Sequence, residues 1–122
     1  MTKAELGYLL QRYRFIAKAL NKNQQKISFY VGNRKETIII DERVKAVISI
    51  VDDVLRSEKA MIAQIIRYRF KLGYSDEKII LSLPLSRSTY YRLKRTIENK
   101  IYQLCIYRGL VSYDELLNEK IG

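Results

Sequence analysis

The sequence predicts a mainly α-helical fold. A helix-turn-helix occupies its second half, and a small β-hairpin interrupts the N-terminal helical region. Three observations carry this. Apolar residues recur at helical spacing through most of the 122 residues. Two β-branched and aromatic runs, Ile27–Val31 and Thr37–Ile40, break that rhythm on either side of GNRKE. The stretch SLPLSRSTYYRLKR at 82–95 then sets the single proline between leucines, ahead of a serine and a basic, tyrosine-bearing helical run.

Element by element, residues 3–20 carry Leu6, Leu9, Leu10, Tyr13, Ala17 and Leu20 on one helical stripe. Thr2 with Glu5 forms a capping-box signature ahead of them. Arg12, Arg14 and Lys18 read as a solvated face of this helix. NKNQQK at 21–26 ends it, and the hairpin follows with a five-residue connection. A lone hairpin is marginally stable and needs a helix or another chain to lean on. Asp41 is placed to cap a helix lined by Val44, Val47, Ile48, Val51 and Leu55. Ser57 marks a new start, and 58–72 carries Met61, Ile62, Ile65, Ile66, Tyr68 and Leu72 before Gly73 stops it. A short helix from Ser75 holds Asp76 and Glu77 in its first turn, where acid favours the helix dipole. It runs through Ile79, Ile80 and Leu83 to Pro84. Ser86 caps the longest helix, about residues 87–108, and Ser112 with Glu115 signals a short C-terminal helix. The expected organisation is therefore 1–56 as an N-terminal helix, hairpin and helix region, 57–110 as the helix-turn-helix domain, and 111–122 as an appended helix.

Composition narrows the function classes. Histidine is absent and Cys105 is alone, which argues against an internal disulfide, a zinc site and histidine base catalysis. Cys105 reads as a small buried hydrophobe. No phosphate-cradling glycine loop or nucleophile elbow is present. Asp52 and Asp53 are adjacent, so on a helix they point about 100° apart and make a poor two-carboxylate site. An enzyme is not expected, and no cofactor or metal is implied. No apolar run approaches the roughly 20 residues of a membrane helix. The opening MTKAELGYLLQRYRF alternates charge and apolar residues, unlike a signal peptide, so a cytoplasmic location is expected. The net charge of +10 attracts polyanions. It is concentrated in 57–110, where eleven basic residues face four acidic ones.

The 87–108 helix carries the sharpest signal. At about 100° per residue, Tyr90, Leu93, Ile97, Ile101, Leu104 and Arg108 share one arc, which packs inward. The opposite arc holds Ser88, Tyr91, Arg92, Arg95 and Asn99 and no carboxylate. Guanidinium, amide and hydroxyl groups are those that read base edges. Arg87 and Lys94 flank the core arc and suit phosphate clamping, while Thr89 suits a phosphate contact or the helix cap. Tyr68 and Tyr90 read as core, each hydroxyl needing a partner. Pro84 ends the preceding helix and Leu85 fills the corner, as a helix-turn-helix requires.

Residues 58–100, with RYRFKLGYSDEKI followed by the LPLSRSTYYR corner, resemble the C-terminal DNA-binding region of sigma factors (region 4). With the STYYRLKR signature and the short length, they are most similar to the ArpU/RinA type of late-gene or packaging-gene regulators of Gram-positive phages and mobile elements. Pro84 stands where sigma-like corners often carry Gly, and the other sigma regions have no counterpart. The resemblance implies a sequence-specific transcriptional regulator, an activator acting on double-stranded DNA with RNA polymerase, in the nucleoid of a bacterial host. Carried over, the DNA-facing positions are Ser86, Arg87, Ser88, Thr89, Tyr91, Arg92 and Arg95. The apolar N-terminal region is expected to form a homodimer or to dock a protein regulator. A small terminase-like DNA-packaging protein and a basic protein-interaction module are the alternative readings.

Overall fold

Thr2 opens the chain's first helix by accepting the Glu5 N–H at 3.1 Å, as the sequence predicts. The computed structural model describes residues 1–112 and Asp114. The expected helix at 111–122, with its Ser112–Glu115 box, therefore extends outside the described residues. Where one helix was expected over 3–20 there are two, α1 (Lys3–Gln11) and α2 (Tyr13–Asn21). Arg12 leaves helical geometry between them, at φ −111° and ψ 12°. The break lets Leu6 and Leu10 of α1 and Tyr13, Ile16 and Ala19 of α2 all reach the core. Arg12 is also not solvated as expected. Its guanidinium lies 3.8 Å from the Tyr8 ring centroid and 4.9 Å from that of Phe29.

Asn23, at φ 56°, ends α2 in a Schellman motif, with Gln24 N–H reaching Ala19 O at 2.9 Å. The hairpin pairs β1 (Lys26–Val31) with β2 (Arg34–Ile39), antiparallel, from Lys26↔Ile39 to Val31↔Arg34. The expected five-residue connection is in fact the two residues Gly32 and Asn33. Gly32 takes φ +62° and Asn33 stays negative, the sign pattern of a type II′ turn. Such a turn follows the strand twist, so pairing extends through Arg34, Lys35 and Glu36 despite their charge. The hairpin leans on α1 through Tyr8, which hydrogen-bonds Glu36 and meets the Phe29 ring at 6.4 Å.

Asp41 caps α3 (Glu42–Ser57) by accepting Val44 N–H at 2.9 Å. The stripe Val44, Val47, Ile48 and Val51 is buried inside the chain, together with Ile50 and Val54. It was expected to leave apolar face for a partner. Ser57 does not open the next helix: its hydroxyl donates to Val54 O at 3.3 Å, closing α3. The next helix is α4 (Ala60–Ile66), which widens into a π-helical turn over Arg67–Lys71. The turn is marked by Leu72 N–H donating to Arg67 O at 2.9 Å. Widening resets the side-chain phase. Ile65, Ile66 and Phe70 are buried, whereas Leu72, expected on the apolar stripe, is 42% exposed. Gly73 reverses the chain at φ +70°, and a Cβ there would sit 3.3 Å from the Arg14 side chain.

Two helices complete the described fold, α5 (Asp76–Ser82) and α6 (Arg87–Tyr107). Helix α3 packs against α2, α4 and α6, and α1 lies against α6. The buried residues of 1–56 and of 57–110 form one cluster, so the two predicted regions share a core. Polar links, a tyrosine hydrogen bond and two ion pairs, cross the same seams. Asp52 joins Tyr13 at 2.5 Å and Lys71 at 3.3 Å, while Asp53 joins Arg108 at 2.8 Å. The adjacent carboxylates thus serve different neighbours. No helix among the described residues is long and apolar enough to cross a membrane.

Candidate nucleic-acid interface

The corner begins where Ser75 caps α5 by accepting Lys78 N–H at 3.2 Å. Helix α5 stops at Ser82 because Leu83, held extended at ψ 151° ahead of Pro84, cannot continue it. Leu83, Pro84, Leu85 and Ser86 make the whole connection. Leu83 is buried and Leu85 half-buried, so the corner is pinned to the core. Ser86 then accepts Thr89 N–H at 3.2 Å and lies 2.8 Å from the Thr89 hydroxyl. Both hydroxyls are thereby committed to starting α6.

Helix α6 is locked to α5 by a polar hub at Asp76. Tyr90, fully buried, donates its hydroxyl to Asp76 at 2.6 Å, and the Lys94 ammonium donates at 3.0 Å. Arg69, from the π-helical turn, sets its Nε 3.2 Å from the same carboxylate. Burial alone would push the Asp76 pKa up. The hydrogen bonds from Tyr90 and Lys94 and the charges of Lys94 and Arg69 outweigh it and hold the carboxyl below its ordinary value. Burial and the bond to Asp76 both raise the Tyr90 phenol. This hub is the feature that sequence reasoning missed. Asp76 and Glu77 looked like dipole-favouring acids of a first turn. The available signal was a core tyrosine whose hydroxyl lacked an assigned partner.

The sequence-predicted positions separate into groups. Ser86 and Thr89 build the cap. Arg87 forms a two-pronged pair with Glu77 of α5, its Nη2 at 2.8 Å. That bond lowers the Glu77 pKa and raises that of Arg87. Lys94 is committed to Asp76 and only 21% exposed. The charges of Arg87 and Lys94, expected to be free for phosphate, are therefore balanced within the fold. Tyr91 is half-buried, edge-on to Tyr90 with centroids 5.2 Å apart. Ser88, Arg92 and Arg95 are exposed on one stripe at spacings of four and three. Neither arginine has a carboxylate partner among the described residues. Asn99 continues the stripe and is exposed, but it lines a small crevice with Lys3, Leu6 and Gly7 of α1. It therefore sits at the α1 seam, away from the corner.

The inward arc is occupied by Tyr90, Ile97 and Ile101, all buried, with Leu93 and Leu104 half-buried. Tyr102 and Cys105 widen it. Cys105 is fully buried, which pushes its thiol up to about 11. Tyr68 is half-buried against Tyr74, with centroids 5.5 Å apart. Lys78, which the sequence reading did not single out, stands exposed on α5 beside the corner, its ammonium 3.9 Å from the Tyr74 ring.

No family model matches the chain, and no curated protein or solved structure matches it either.

Proposed function

We propose that this protein is a sequence-specific regulator of transcription that binds double-stranded DNA through α5, the Leu83–Ser86 corner and α6, a sigma region-4-like helix-turn-helix. One observation carries the reading. Ser88, Arg92 and Arg95 stand on a single exposed stripe near the start of a helix whose other face is locked to the core. A recognition helix needs that combination of a fixed back and a free polar front. Arg92 and Arg95 are the base-reading candidates, since guanidinium pairs with guanine edges. Ser88 contacts base or phosphate, and Lys78 from α5 supplies phosphate contact. Activation of phage or mobile-element late genes through RNA polymerase, in the cytoplasm of a bacterial host, completes the proposal. Two copies on a repeated half-site would extend the few base pairs that one such helix reads.

Selection of bound sequences from a random duplex library at about 150 mM salt tests this, because that ionic strength suppresses non-specific attraction. The expected result is an enriched motif. Binding without enrichment, weakening with salt alike on every sequence, would overturn the regulator in favour of a non-specific basic surface.

A further inference from the structure

The two-stranded hairpin leaves an outer edge on each strand, and the edge of β1 borders a groove. Val31 and Arg34 flank the turn and form the narrow hydrogen-bonded pair, and bonding alternates from there. Val31, Phe29 and Ile27 turn their backbone groups toward β2, while Lys26, Ser28 and Tyr30 turn theirs away. The five consecutive residues Ile27–Val31 line one wall of a groove of about 600 Å³ whose other wall is α2. Alternate residues point to opposite faces of a strand, so consecutive ones line a common groove only along its edge. The groove is apolar and open: Tyr30 is 72% exposed and Phe15 58%. Its lining includes Arg12, Lys18 and Lys22 and no carboxylate. Arg12 is tied into the fold, its Nη1 donating to Tyr8 O at 3.1 Å, its guanidinium over the Tyr8 and Phe29 rings and its Nε buried. This leaves Lys18 and Lys22 as the exposed cations of the groove.

We propose that the free edge of β1 receives an extended peptide segment of a partner protein, alternating apolar and acidic residues, as a third strand. Backbone bonds to Lys26, Ser28 and Tyr30 set its register, a known mode of peptide capture. Its apolar side chains lie over Phe15 and Tyr30, and its carboxylates meet Lys18 and Lys22. Charge argues against a second copy as the occupant. Pairing β1 with β1 about a twofold axis brings the α2 lysines of both copies together, in a chain that already carries +10. The inference does not depend on DNA binding, since the groove uses none of the corner elements.

The test is selection from a displayed random-peptide library against the full chain, followed by titration of the selected peptide. Enriched sequences are expected to alternate apolar and acidic residues and to shift the amide resonances of Ser28 and Tyr30. Affinity should fall about tenfold or more, at least ~1.4 kcal/mol, in Lys18→Glu/Lys22→Glu. Ser28→Pro, which removes an outward N–H and leaves the β2 ladder untouched, should lose binding similarly. The double charge reversal keeps the proposal testable where the proline disturbs folding. Absence of enrichment, enriched peptides without acids, or shifts outside β1 and α2 would overturn it. So would sedimentation as a dimer that protects those same amides, which would assign the edge to a second copy.

Discussion

The two halves of α6 carry similar basic residues and use them differently. In the C-terminal half, Lys100 pairs with Glu58, and at its end Arg108 pairs with Asp53 at 2.8 Å. Both carboxylates come from α3 or its cap, so these cations fasten the helix to its scaffold. In the N-terminal half, Arg87 and Lys94 are likewise tied, to Glu77 and Asp76 of α5. Only Arg92 and Arg95 are left without a carboxylate among the described residues. A charge count treats all of these cations alike, and pairing separates them. The candidate interface is therefore narrower than the basic segment, and it sits where the corner presents the start of α6.

The comparison breaks most sharply at Asp76. Asp76→Ala leaves the buried Tyr90 hydroxyl without its acceptor and Lys94 and Arg69 without their counter-charge. Unfolding by urea should show a loss of about 2–3 kcal/mol, the range for hydrogen bonds to a charged group plus an orphaned donor. The pH dependence follows from the lowered pKa. In the wild-type protein the Asp76 contribution is complete above its ordinary value of 3.8 and drains away as pH falls through the depressed folded value. The variant should lack that part of the acid slope. An unchanged slope would mean that the hub contributes little to holding α6.

Arg92→Ala and Arg95→Ala sharpen the comparison from the binding side. Each should cost about 1–3 kcal/mol on a selected duplex, with far less loss on random DNA and no change in unfolding free energy. Lys94→Ala is the control that separates holding from reading. It should weaken all sequences alike, and it should do so together with a lower urea midpoint, because its ammonium is committed to Asp76. Equal losses on specific and random DNA for Arg92→Ala and Arg95→Ala would move both residues to phosphate contact.

Much of this was legible in the sequence because the decisive signals are local. Asp41, Ser75 and Ser86 each cap the helix expected of them, and each accepts an N–H three residues on. Tyr90, Ile97 and Ile101 fall inward as helical phase requires. The misses came where a local signal has two readings, or where the answer lies elsewhere in the chain. Ser57 looks like an N-cap, yet its hydroxyl bonds backward into α3. GNRKE looks like a loop by composition, but the sign of φ at Gly32 decides the turn length. The π-helical turn has no sequence mark beyond RYRFK itself, and it leaves Phe70 buried while Leu72 falls outside the apolar stripe. At the site, composition located the basic helix. It did not foretell which cations α5 would neutralise, because those partners lie ten and eighteen residues upstream.

Ser86→Ala probes the joint between scaffold and interface. The loss of an N-cap hydroxyl costs about 1 kcal/mol of stability. Here it also frees the first turn of α6, where Ser88 projects. The expected signature is a modest drop in the urea midpoint with faster amide exchange confined to residues at the start of α6. Uniform exchange acceleration across α6 would mean that the cap supports the whole helix rather than its first turn.

The smallest effect is expected at Lys100, and its smallness is informative. Lys100 is about half exposed, so its pair with Glu58 is screened on one side. An ion pair of that kind is worth about 0.2–1 kcal/mol. Lys100→Ala removes the same formal charge as Arg92→Ala from the same helix. If long-range attraction of a +10 chain governed DNA selection, the two substitutions would weaken binding equally. If the exposed stripe reads the duplex, Lys100→Ala leaves the selected motif intact and only Arg92→Ala degrades it. Measuring both variants on the same duplex at the same salt therefore distinguishes net charge from placed charge.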